Sequence, residues 1–145
     1  MSAKGIRDID LIRTFVLQGT LNFTRYFFKI RQKRKFVIGK HHREIAAALD
    51  KVLCGEITRL IINIAPRYGK TELAVKNFIA EGLAINPKAK FIHLSYSDDL
   101  ARDNSRGVQD IINEPEYRRI FPATIPTSTN TKKWYTTEGG GLYAV

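Results

Sequence analysis

The chain has 145 residues, 43% hydrophobic and 26% charged, with ten glycines, five prolines and one cysteine. That is enough apolar material for one domain with its own core, and it excludes collagen-like, low-complexity and disordered chains, a disulfide-stapled miniprotein and a cysteine-cluster zinc site. The net charge is +10, and its excess is local.

Arg25, Lys29, Arg31, Lys33, Arg34, Lys35, Lys40 and Arg43 form a run of eight cations with no acid among them, whereas the rest of the chain carries sixteen cations against fourteen acids. A local positive field attracts phosphate backbones or anionic membrane surfaces without any sequence preference. Nearly apolar stretches such as residues 60–66 are less than half of the roughly 20 residues needed to cross a bilayer. The polar start Met1-Ser2-Ala3-Lys4-Gly5 lacks the apolar core of a signal peptide. A soluble, cytoplasmic protein is expected, with Cys54 as a small core filler on a helix.

In chain order, residues 8–18 carry Ile9, Ile12, Phe15 and Val16 at helical spacing. Thr20 or Asn22 caps a second predicted helix with Phe23, Tyr26, Phe27 and Ile30, which breaks into the cationic run ending near Gly39. Ile45, Ala46, Leu49, Val52 and Leu53 form the stripe of a third helix, with Gly55 as its terminator. Residues 59–65, Arg-Leu-Ile-Ile-Asn-Ile-Ala, are β-branched and apolar and predict a parallel-sheet strand buried on both faces. A helix over 71–85 follows, with Leu73, Phe78, Ile79 and Leu83 as buried positions, before Asn86-Pro87 stops it.

Residues 90–95 predict another strand. Ser97 then caps a helix with Asp98 and Asp99 in its first turn and Leu100, Val108, Ile111 and Ile112 toward the core. A short helix near 117–120, a polar loop over 124–133, a strand at 132–136, the turn Glu138-Gly139-Gly140-Gly141 and a strand from Leu142 complete the chain. The order predicts a parallel α/β sheet with right-handed crossovers, flanked by helices. His93 is expected as a hydrogen-bonded core residue of a buried strand and Trp134 as a packing residue at a sheet edge, neither with a chemical role.

Asn63-Ile64-Ala65-Pro66-Arg67-Tyr68-Gly69-Lys70-Thr71 matches the second half of the phosphate-binding loop pattern and lacks its first glycine, where Ile64 stands. A predicted strand enters the loop and a predicted helix leaves it, as the chemistry requires. Backbone amides at a helix N-terminus favour anions, and Gly69 lets the chain approach a phosphate closely. Lys70 would reach the β and γ phosphates, and the Thr71 hydroxyl would ligate the bridging Mg²⁺. Arg67 has two readings: a guanidinium set beside the γ-phosphate, or a side chain that pairs with an acid or faces solvent. An acidic strand that would hold Mg²⁺ and orient the attacking water is not found; Asp98 and Asp99 are separated from the apolar run by Ser95-Tyr96-Ser97 and suit a helix start.

Leu60 through Leu73, then Phe91-Ile92-His93-Leu94-Ser95-Tyr96-Ser97-Asp98-Asp99-Leu100-Ala101, then Trp134-Tyr135-Thr136-Thr137 with Gly139-Gly140-Gly141-Leu142-Tyr143-Ala144, together resemble the N-terminal ATPase domain of the large terminase subunit of tailed bacteriophages and prophages. The resemblance runs from about Phe36 onward. It implies a P-loop NTPase domain over 36–145 after a basic helical segment over 1–35, and a motor that uses ATP and Mg²⁺ to package double-stranded DNA together with a small subunit and a portal protein. It assigns Pro66, Arg67, Tyr68, Gly69, Lys70, Thr71 and Glu72 to the nucleotide, with Arg67 and Lys70 catalytic and Thr71 on the metal, and sets His42, beside His41 and Arg43, near the adenine. The acidic strand and the nuclease of that family are not among these residues, so nucleotide binding with little turnover is expected. Arg31, Lys33, Arg34 and Lys35 are candidate DNA contacts or, equally, solvated helix cations. The alternative class is a non-catalytic nucleic-acid-binding or assembly protein whose loop binds nothing.

Overall fold

The structure, a computed structural model, describes residues 3–145, and of residues 3–7 the backbone alone; the polar start at Met1 and Ser2 lies outside them. The protein is mixed α/β and rich in helix, with two compact units, one ending at Phe78 and one running from Ile79 to Val145.

The first unit holds α1 (Ala3–Val16), α2 (Thr20–Gln32) and α3 (Lys40–Leu53). On α2 the buried residues are Thr20, Phe23, Thr24 and Phe27, an i, i+3, i+4, i+7 face, and the Phe23 and Phe27 rings meet at 4.7 Å. Gly19 has no side chain with which to cap α2, and Asp50 of α3 does so instead, accepting from the Thr20 amide at 2.7 Å and its hydroxyl at 2.8 Å. A carboxylate there also suits the positive end of the helix dipole. Helix α2 ends on Lys33, which takes the left-handed conformation with φ 55°.

Residues 59–65 differ from expectation. They form no strand; Ile62 and Ile64 pack on a cluster of Ile45, Leu49 and Leu73, while Ile61 is 86% exposed. No residue of the segment is fully buried, and among the described residues no neighbouring strand supplies it a ladder. Cys54 is likewise no core filler: it is exposed at the C-terminus of α3, its Sγ 3.4 Å from the Lys51 carbonyl.

The chain then becomes helical at Lys70, with a π-helical stretch over Glu72–Asn77 before α4 (Phe78–Ile85). The Asn77 side-chain amide donates to the Glu72 carbonyl at 2.8 Å and to its carboxylate at 3.0 Å. A side-chain donor inserted beside the backbone ladder in this way widens the turn. The Glu72 carboxylate also pairs with Arg31 of α2, both side chains being largely buried.

In the second unit a three-stranded sheet has the order β1 (Lys90–His93), β3 (Gly141–Ala144), β2 (Lys133–Tyr135). β1 and β3 are parallel as expected, whereas β2 runs antiparallel to β3, so the sheet is mixed. Phe91, Leu142 and Trp134 stand in one row across it. Trp134 is buried and donates from its indole nitrogen to Ser105 at 2.9 Å. Ser105 belongs to α5 (Asp98–Asn113), whose N-cap Ser97 accepts from the Leu100 amide as read from the sequence. Val108, Ile111 and Ile112 are fully buried, but Leu100 is exposed. Helix α6 (Pro115–Ile120) follows, and Tyr117 donates its hydroxyl to the Ala80 carbonyl at 2.8 Å. At Gly140 an added Cβ would lie 2.2 Å from the Pro87 carbonyl oxygen, so only glycine permits the turn to pass so close to that backbone. Among the described residues no helix is long and apolar enough to cross a membrane.

Candidate functional site

The loop over 66–71 is set by its backbone. Arg67 and Gly69 both lie in the left-handed region, with φ 67° and 77°. Left-handed residues turn successive amides toward a common side, the geometry of an anion-binding nest. The first helical bond runs from the Leu73 amide to the Gly69 carbonyl at 3.0 Å. The amides of Lys70, Thr71 and Glu72 therefore come before the first intrahelical donor, Leu73, and are among the donors that a helix start leaves open. A non-glycine residue in this region costs roughly 1–3 kcal/mol, so the Arg67 conformation is held by its surroundings.

Those surroundings are two histidines at the start of α3. His42 Nε2 lies 2.7 Å and His41 Nε2 3.2 Å from the Tyr68 carbonyl oxygen, and the two Nε2 atoms are 3.0 Å apart. The Gly39 amide donates to His42 Nδ1 at 2.9 Å, so His42 at the third helical position reaches back as in a capping box. Burial, more than any other cause, holds the His42 imidazole below its usual pKa; the Tyr68 carbonyl opposes this and His41 adds to it. Gly69 fits closely here: a Cβ would stand 2.9 Å from His42 Nε2 and 3.4 Å from Phe36 Cζ. His42 thus touches the loop through Tyr68 and Gly69, although the two segments lie 26 residues apart.

Phe28, Arg34, Lys35, Phe36, His41, His42, Arg67, Tyr68 and Gly69 line a cavity of about 370 Å³. The Phe36 ring stands 4.9 Å from His42 and 5.2 Å from Phe28, and the Arg34 guanidinium lies over Phe28 at 5.7 Å. The walls combine aromatic faces with cations, a lining suited to a flat heteroaromatic ring carrying a negative tail.

The expected site residues divide into groups. Arg67, Tyr68, Gly69 and His42 meet at this cavity; Pro66, Lys70 and Thr71 are exposed in the adjoining loop and first turn. Glu72 faces Arg31 and Asn77 instead. Arg31 is accordingly turned inward, 9% exposed, and apart from Lys33, Arg34 and Lys35, which are exposed. A second hollow of about 220 Å³ gathers Arg25, Lys29 and Lys35 around Phe15, Tyr26 and Phe36. Sequence reasoning did not find the His42 hold on Tyr68 or the Arg31–Glu72 pair. The Gly39-x-x-His42 spacing, a capping-box signature with histidine in the acidic position, was the available signal for the first; the second has no local signature.

Among the described residues no three His, Cys, Asp or Glu side chains gather to hold a metal, so a divalent ion here would have to be carried largely by ligand phosphates. The Thr71 hydroxyl, exposed at the first helical turn, suits that arrangement. No protein-family model, curated protein or solved structure matches the chain.

Proposed function

We propose that the chain binds Mg-ATP with its phosphates on the amides of residues 67–72 and its base in the cavity walled by Phe36, His42 and Tyr68, and that it is the ATP-binding part of a large-terminase-type motor for packaging double-stranded DNA in the bacterial cytoplasm. The small subunit and portal protein are partners under this reading. One observation carries it: two left-handed residues, one of them a bulky arginine, stand directly before a helix start whose amides are open. That is the backbone a polyphosphate needs, and it is kept at a conformational cost.

In this reading Lys70 supplies a point charge to the outer phosphates, and Arg67, which has no ion pair among the described residues and lines the cavity mouth, reaches the terminal phosphate. Thr71 would hold Mg²⁺, which when bound neutralises phosphate charge. Glu72 is occupied by Arg31, so its amide alone would face the nucleotide. With no acidic strand among the described residues to orient the attacking water, binding with little turnover is expected. Calorimetry with Mg-ATP tests it: the parent chain should bind and K70A should lose binding at least tenfold, and equal binding by both would contradict the assignment.

A second reading, a nucleic-acid-binding protein whose loop holds no nucleotide, draws on the hollow of Arg25, Lys29 and Lys35. It expects duplex binding that is unchanged by ATP, unaffected by K70A and reduced by neutralising those three cations.

A further inference from the structure

We infer that His42 is a positioning residue for the phosphate loop, holding the Tyr68 carbonyl through its Nε2 proton, and that protonation of His42 releases that hold. The consequence for nucleotide affinity rests on the proposed reading of the loop; the hold itself does not.

Donors and acceptors fix the His42 tautomer. Gly39 N–H donates to His42 Nδ1 at 2.9 Å, so that nitrogen carries a lone pair and the ring's proton sits on Nε2, pointing at the Tyr68 oxygen 2.7 Å away. The same assignment excludes a metal bridging the two imidazoles, because a metal would need the His42 Nε2 lone pair. A second proton on His42 would have to enter at Nδ1, facing the Gly39 donor, and would break the bond that orients the ring. Among the described residues that line the cavity there is no acid. The charged groups facing the rings are Arg34 and Lys35 from the connection between α2 and α3, and Arg67 from the loop, all cations, with the Tyr68 phenol beside His41 at 5.6 Å between rings. On α3 itself Lys40 is near Glu44 at 4.0 Å and Arg43 is exposed. The contact is tight enough to transmit: the Gly69 Cα has no room for a Cβ against His42, so any swing of the ring moves the residue that begins the anion-facing turn.

Two measurements on the full chain test this. In the ligand-free protein, long-range ¹⁵N spectra of the imidazoles should show His42 as the Nε2–H tautomer at pH 7.5, and on acidification the Gly69 and Lys70 amides should shift with the same midpoint as the His42 ring. In H42Q, where the glutamine amide keeps a donor at the Nε2 position without titrating, those amides should stay still. With a fluorescent ATP analogue and Mg²⁺, affinity should fall about tenfold between pH 7.5 and pH 5, the factor carried by loss of one hydrogen bond of ordinary net strength. In ligand-free H42A the Gly69 and Lys70 amides should sit away from their parent positions at pH 7.5, whereas in H42Q they should keep those positions, and H42Q should bind the analogue with a flat pH profile. Amides that ignore the His42 titration, or an H42Q profile matching the parent's, would overturn the inference while leaving the nucleotide site standing. Coupled amides in a protein that binds no nucleotide at any pH would keep the positioning role and remove the proposed function.

Discussion

Asp50 shows how one side chain can stabilise an element it does not belong to. Its carboxylate takes both donors of Thr20, and the bare Gly19 admits it, since a Cβ there would lie 2.9 Å from Asp50 Oδ2. D50A should destabilise the protein by about 1–2 kcal/mol, the worth of an N-cap with a favourable dipole contact, and D50N should lose less; urea denaturation measures both. Two imidazoles set the acid behaviour. Burial lowers the pKa of both His42 and His93 from 6.5, and with the Asn104 amide as donor, His93 Nε2 is an acceptor at 3.1 Å. The unfolded chain therefore binds more protons than the folded one just below the ordinary histidine range, and stability should fall as pH drops through about 6.5 toward 5. H93Q and H42Q should each flatten that slope in thermal unfolding series; an unchanged slope in both would mean other groups carry it. Chemistry at this scale was partly legible in the sequence. Ser97 as cap and Asp98 and Asp99 in the first turn are local patterns and stand where expected, whereas Asp50 caps from 30 residues away.

Among the elements, helices were read well and residues 59–65 were not. A helix closes its hydrogen bonds within itself, so the spacing of Ile45, Ala46 and Leu49 suffices to place α3, all three being buried. A strand needs a neighbour, and the run Leu60-Ile61-Ile62 says nothing about whether one is adjacent; here Ile62 and Ile64 alone find apolar contacts. The π-helical stretch was equally unreadable, since it depends on Asn77 turning back to Glu72 and on Arg31 from another helix. Removing one partner of a largely buried pair leaves the other uncompensated, so E72A should cost about 3 kcal/mol. Replacing both, as in R31M/E72L, should restore most of it, because the pair's desolvation cost disappears with its attraction. A double mutant as unstable as the single one would show that Glu72 acts through Asn77 instead. Helix α2 offers a gain: K33G removes the left-handed strain at φ 55° and should raise the melting temperature by a few degrees.

For the whole molecule, the sequence conveyed the mixed α/β class, but the wholly parallel sheet it predicts is mixed: β1 pairs with β3 in parallel and β2 runs antiparallel. The uneven charge was visible as a run of residues; its division into an inward Arg31 and an outward group around Arg25, Lys29 and Lys35 depended on helix phase and packing. The spacing of Gly69, Lys70 and Thr71 was legible, but the approach of His42, which leaves no room for a Cβ at Gly69, was not. Function on this account depends on open amides at a helix start. The most direct measurement is a titration of the ¹⁵N-labelled chain with Mg-ATP, followed amide by amide. The largest shifts are expected at Arg67 through Glu72, abolished in K70A; shifts confined to the Arg25, Lys29 and Lys35 surface, or none at saturating nucleotide, would contradict a nucleotide site at the helix start.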